Sequence, residues 1–126
     1  MSDIYASTRF VPQHETDSSS EQIIEEVETA AKRGSAEAQY LLAKMYDVGD
    51  NMEQSLSKAE KWYQLSAKQG YTDAQLALGR LYMSQREWVN AIKWYEIAAK
   101  DGNKYAQYIL GKIYEAGIED VKHNYI

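Results

Sequence analysis

The sequence predicts an all-α fold, an α-solenoid of antiparallel helix pairs with about six helices. Three observations carry this. A nine-residue helical pattern recurs three times, a second pattern alternates with it, and glycines close the second pattern at near-regular spacing. Ala38-Gln39-Tyr40-Leu41-Leu42-Ala43-Lys44-Met45-Tyr46 returns as Ala74-Gln75-Leu76-Ala77-Leu78-Gly79-Arg80-Leu81-Tyr82. It returns again as Ala106-Gln107-Tyr108-Ile109-Leu110-Gly111-Lys112-Ile113-Tyr114. Lys58-Ala59-Glu60-Lys61-Trp62-Tyr63 matches Asn90-Ala91-Ile92-Lys93-Trp94-Tyr95, and these runs end at Gly70 and Gly102, with a weaker copy ending at Gly34. Repeats of this length cannot bury their apolar faces singly and stack on their neighbours.

Each segment has helical period. Ala38, Leu41, Leu42, Met45 and Tyr46 stand at i, i+3, i+4, i+7 and i+8, one stripe of an amphipathic helix. Ala59, Trp62, Tyr63, Ser66 and Ala67 follow the same spacing, as do Ala91, Trp94, Tyr95, Ala98 and Ala99. The stripes predict helices near 20–33, 36–48, 53–69, 72–84, 87–101 and 104–116. Thr72 with Gln75 and Ser57 with Glu60 read as capping boxes. Gly34, Gly70, Gly102 and Gly117 read as left-handed helix stops. Ala43, Gly79 and Gly111 share one slot inside the first-type helix. Glycine there costs about 1 kcal/mol of helix propensity, so close approach of the partner helix is expected.

Residues 1–19, polar and with the serine run Ser18–Ser20, are expected to be a flexible tail. The repeat domain is then 20–126: a half repeat at 20–34, repeats at 35–70 and 71–102, and a partial repeat at 103–126. The second repeat is four residues shorter than the first, and the loss falls near Ser84 to Glu87.

Composition removes several function classes. With no cysteine there are no disulfides, thiolate metal sites or cysteine nucleophile. A net charge of -5 argues against a non-specific hold on nucleic acid. The start, MSDIYASTRF, has no basic patch followed by an apolar core, and no apolar run approaches a bilayer span. A cytoplasmic address is the default expectation. His14 and His123 have no second ligand at metal spacing, Glu21, Glu25, Glu26 and Glu28 read as a solvated helix face, and no phosphate loop or nucleophile elbow occurs. No metal, no cofactor and no catalysis are expected.

The pattern A-Q-x-x-L-G-x-x-Y followed by K-A-x-x-W-Y-x-x-A-A-x-x-G resembles the Sel-one-like repeat family, relatives of the tetratricopeptide repeats, over about residues 20 to 117. The resemblance implies a right-handed superhelix and a role as scaffold or adaptor for other proteins, with many members bacterial. It also implies that the first helix of each pair lines a concave face. On that face the residue after the small slot is Lys44, Arg80 or Lys112, with Tyr40, Leu76 and Tyr108 one turn earlier and Met83 nearby. These seven residues are the expected binding surface for a peptide or helix of another protein, one carrying acidic groups. The Asn side chains that clamp a C-terminal carboxylate in related domains are not evident here. Two departures from the family pattern matter: Glu26 stands where Trp62 and Trp94 stand, and the third repeat lacks its second helix.

Two other readings are open at this stage. The last helix could pair with a copy of itself in a homodimer through Ile109, Ile113, Val121, Tyr125 and Ile126. Alternatively, the chain is a regulatory or interaction fragment of a larger protein. The aromatic residues Trp62, Trp94, Tyr46, Tyr82, Tyr114, Tyr63 and Tyr95 are expected in the core, and Trp88 as a plug beside the shortened loop.

Overall fold

A computed structural model describes the backbone of residues 11–117 and the side chains of residues 19–117. Six helices occupy it: α1 (Val11–Lys32), α2 (Ala36–Val48), α3 (Leu56–Lys68), α4 (Thr72–Ser84), α5 (Trp88–Lys100) and α6 (Lys104–Ala116). The substantial contacts all join helices consecutive in the chain, as a stacked repeat requires. No strand occurs among the described residues.

α1 begins at Val11, nine residues inside the segment expected to be a tail. Pro12 falls in the first turn, where its missing N–H is no loss, and Gln13 to Ser20 hold no helix breaker. The other starts and stops follow local chemistry. Ser35, Ser55 and Asn103 cap α2, α3 and α6, each side chain accepting from the N–H three residues on, at 3.1, 3.2 and 2.8 Å. The two expected capping boxes do not form. Ser55 rather than Ser57 caps α3, and Tyr71, without a side-chain cap, precedes α4 so that Thr72 is already helical. A polar residue with a Glu or Gln three places later identified the helix, but Ser55 was the better-placed hydroxyl.

Gly34, Gly70, Gly102 and Gly117 all have positive φ; at Gly70 and Gly102 it is 90° and 92°. The turn there lets Tyr71 and Asn103 N–H reach back to the Ser66 and Ala98 carbonyls, closing the helix ends. The four-residue difference between repeats lies in the inner loops. Residues 49–55 join α2 to α3, whereas 85–87 join α4 to α5, with Arg86 at φ 62°.

The core runs along the stack. Tyr63, Leu42 and Leu78 are fully buried, and so is Tyr95. Each buried leucine contributes about 1.5–3 kcal/mol of transfer free energy. One cluster joins α2, α3, α4 and α5 through Ala43, Ala59, Tyr63, Leu78, Tyr82 and Ala91. A second joins α5 and α6 through Ile92, Tyr95, Leu110 and Ile113. Trp62 and Trp94 are half-buried against the first, and Trp88 against the second. Tyr114 differs from its expected burial: its ring is exposed, and its hydroxyl donates to Glu96 at 2.9 Å.

The invariant-looking glutamines staple the stack. Gln39, Gln75 and Gln107 each donate Nε2 to the carbonyl eight residues earlier, Ala31, Ala67 and Ala99, at 3.1, 3.2 and 3.1 Å. These are helix-end carbonyls that also accept the N–H of Gly34, Gly70 and Gly102, so each glutamine uses the second lone pair. α1 thus meets α2 as α3 meets α4 and α5 meets α6.

Candidate interaction surface

The first-type helices α2, α4 and α6 put equivalent residues on one face. On α2, the Lys44 ammonium lies 5.6 Å from the Tyr40 ring centroid. On α6, Lys112 lies 5.5 Å from the Tyr108 ring. Both are i, i+4 pairs, the spacing that stacks side chains one turn apart, and both place a cation over a ring face. On α4 the ring slot holds Leu76, so Arg80 finds another partner. Its guanidinium reaches across to α2 and pairs with Asp47 Oδ2 at 3.2 Å. The same carboxylate oxygen accepts the Tyr63 hydroxyl at 2.9 Å.

Asp47 is the residue that sequence reasoning missed. Its slot holds Met83 in the second repeat and Glu115 in the third, so the acidic residue skips the middle repeat. The basic stripe of Lys44, Arg80 and Lys112 is therefore interrupted by charge pairs. Lys112 itself lies 4.0 Å from Glu115. Arg80 keeps 62% of its side chain exposed, and a guanidinium has five N–H donors, so it remains able to bind a further acceptor.

The apolar residues of the expected surface are divided. Tyr40 is half-buried, packed 6.0 Å from Tyr63 and 5.4 Å from Tyr71 between ring centroids. Leu76 and Met83 are half-buried against the core; Met83 touches both main clusters. Tyr108 is exposed, and Tyr105 beside it is exposed as well. Tyr105 was not legible as a surface residue because Glu37 and Asp73 hold its slot in the other repeats.

Arg80 also organises the local field. Burial raises the Tyr63 hydroxyl pKa well above the ordinary tyrosine value; the Asp47 hydrogen bond adds to this and Arg80 opposes it. Burial pushes Tyr40 up, with Asp73 adding and Arg80 opposing. Burial pushes Tyr95 up to about 12, with Tyr105 adding and Arg80 opposing. One guanidinium thus sits within reach of three phenols from α2, α3 and α5.

The expected self-association edge is altered by the structure. Ile113 is 5% exposed and belongs to the α5–α6 core, and Ile109 packs against that core. Leu110 and Ile113 bury together because α5 covers their side of α6. Val121, Tyr125 and Ile126 lie outside the described residues, as does His123. No group of three His, Cys, Asp or Glu that could hold a metal ion occurs among the described residues. No helix among them is long and apolar enough to cross a membrane.

A family model, the Sel1 repeat, matches residues 36–71, 72–87, 89–103 and 104–126. The chain belongs to the Sel1 repeat family. Sel1 repeat proteins are generally scaffolds for protein–protein interaction. Two similar solved structures agree on the fold. One is c5321, a protective antigen present in uropathogenic Escherichia coli strains displaying an SLR fold. It is 35% identical with a TM-score of 0.71, over 75% of this chain and 21% of that one. The other is a Sel1 repeat protein from Oxalobacter formigenes, 34% identical with a TM-score of 0.67, over 76% of this chain and 75% of that one. The Sel1 chain described here thus spans about a fifth of the antigen. No curated protein matches it.

Proposed function

We propose that this Sel1 repeat domain is a binding module whose α2–α4–α6 face, concave in the superhelix, holds a segment of another protein. The segment is an extended peptide or helix with acidic groups. The observation that carries the reading is the repeated ring-and-cation pair, Tyr40–Lys44 and Tyr108–Lys112, flanking the exposed Arg80. Phenol rings supply contact area at low entropic cost, and cations spaced by repeats pair with carboxylates of an extended ligand. On a chain of net charge -5, three cations at one repeat position also steer an acidic partner to this face.

Arg80 plays a distinct part in this reading. Its pairing with Asp47 holds the guanidinium in place before a ligand arrives, which lowers the entropy lost on binding. The test is to pan a displayed peptide library on the wild-type domain. Selected peptides should be rich in Asp and Glu and should lose about tenfold or more in affinity for Tyr108→Ala and for the Lys44→Glu, Arg80→Glu, Lys112→Glu variant. Peptides that bind the triple variant as tightly as wild type would falsify the reading.

A further inference from the structure

The repeat register leaves the two ends of the stack complementary. α1 ends in Ala30-Ala31-Lys32-Arg33-Gly34, as α3 ends in Ser66-Ala67-Lys68-Gln69-Gly70 and α5 in Ala98-Ala99-Lys100-Asp101-Gly102. With the shared glutamine staple this makes α1 a second-type helix. Among the described residues the order is therefore second, first, second, first, second, first. Among the described residues no first-type helix packs before α1 and no second-type helix packs after α6.

Two slots are open among the described residues. Ile23 stands where Ala59 and Ala91 stand; both alanines are fully buried, whereas Ile23 is 56% exposed. Gly111 stands where Ala43 and Gly79 stand. A Cβ on Gly79 would lie 2.7 Å from the Tyr95 ring, but a Cβ on Gly111 would meet nothing within 4 Å. Beside Ile23, an apolar groove of about 280 Å³ runs between α1 and α2, lined by Val27, Leu41, Met45 and Val48 and edged by Lys44 and Asp50. At the other end, an open groove of about 720 Å³ lies along α5 and α6, lined by Ile97, Ala99 and Leu110 and edged by Lys93, Lys100 and Glu96.

We infer that a second copy of this chain docks head to tail, its α1 lying on α5–α6 beside Gly111 while α6 enters its α1–α2 groove. Charge complementarity selects this occupant. Inside the chain, Arg80 of one first-type helix pairs with Asp47 of the preceding one at 3.2 Å. Lys44 occupies the Arg80 slot and Glu115 the Asp47 slot. Continuing the stack puts Lys44 of the incoming copy against Glu115, which is exposed and lies 4.0 Å from Lys112. The acidic outer side of α1, with Glu25 and Glu26 exposed, also comes towards the groove edged by Lys93 and Lys100. The contact is heterologous: each copy offers a different surface at each end, unlike a two-fold pairing of α6 with itself.

The test uses blocked ends. Ile23→Lys spoils the head, and Gly111→Glu, at a position where a Cβ meets nothing within 4 Å, spoils the tail. Wild type should gain mass with concentration in sedimentation, each variant should remain a single chain, and an equimolar mixture should form a species of twice the single-chain mass and no larger. Lys44→Glu and Glu115→Lys, both at exposed positions, repeat the test where no core is disturbed. Each alone should weaken assembly by roughly fivefold or less, the range of an exposed ion pair, and mixing the two should restore it. A wild type that stays monomeric at millimolar concentration overturns the inference. So does a mixture of the blocked variants that never pairs, or a dimer formed by either blocked variant alone.

Discussion

Gly79 of α4 and Tyr95 of α5 approach so closely that a Cβ at position 79 would lie 2.7 Å from the Tyr95 Cε2 and Cζ atoms. Tyr95 is 1% exposed, so its ring has no room to retreat. Gly79 is helical, and its missing side chain is what lets the two helices meet. Gly111 holds the same repeat position with open space before it. One residue type at one register thus has opposite consequences for stability.

Gly79→Ala should destabilise the domain. The gain in helix propensity is about 1 kcal/mol, while forcing a methyl into the Tyr95 ring costs about 1–3 kcal/mol. Gly111→Ala should keep the propensity gain with no opposing clash and stabilise by up to about 1 kcal/mol. Urea unfolding of the two variants beside wild type checks both signs; equal shifts in one direction would contradict the packing described.

A second prediction concerns the junction between repeats. Gln69 Nε2 bridges the Gly34 carbonyl at 3.0 Å and Gln39 Oε1 at 2.9 Å. One repeat later the same position holds Asp101, which can only accept, and Gln75 Oε1 is buried without a partner. Asp101→Gln supplies the missing donor to Gln75 Oε1 and the Gly70 carbonyl. It should stabilise by about 1–2 kcal/mol, the cost of an unsatisfied buried acceptor. Asp101→Ala, which removes the charge from the α5 C-terminus without adding a donor, should gain less. A Gln variant no more stable than the Ala variant counts against this account.

Alkaline pH should unfold the domain. Burial, with the Glu60 hydrogen bond adding and that from Gln64 opposing, pushes Tyr82 from the ordinary 10.0 up to about 12. Tyr95 is pushed up to about 12, mainly by burial, and Tyr63 is raised too. Between pH 10 and 12 the unfolded chain has lost these protons and the folded chain retains them, so stability falls as pH rises. It is fully present below pH 10. Absorbance of tyrosinate and helical circular dichroism, followed together, should show a phase in which ionisation and unfolding coincide. Smooth ionisation of every tyrosine near pH 10 with helices intact would contradict the burial of these three.

Much of the fold was legible because period and punctuation agree. Apolar stripes fixed the helices, and the glycines after Lys32, Lys68 and Lys100 fixed their ends. The cap of α3 was misplaced because Ser55 and Ser57 offer the same hydroxyl two residues apart, and only backbone geometry chooses between them. The start of α1 was hidden by a polar segment with no apolar stripe to mark it. On the candidate surface, Lys44 and Lys112 were visible as repeats. Asp47 was not, since Met83 interrupts the slot that it shares with Glu115. Tyr114 followed the core pattern in sequence, yet it is exposed, with its hydroxyl held by Glu96.

The central claim is that the α2–α4–α6 face binds another protein's segment. Its most direct measurement is the set of backbone amide shifts in the ¹⁵N-labelled domain on titration with a selected acidic peptide. The account predicts perturbations concentrated at Tyr40, Lys44, Leu76, Arg80, Tyr108 and Lys112, lost in the triple Glu variant. Perturbations confined to the exposed side of α3 and α5, around Leu65 and Ile97, with Arg80 and Tyr108 unmoved, would contradict it.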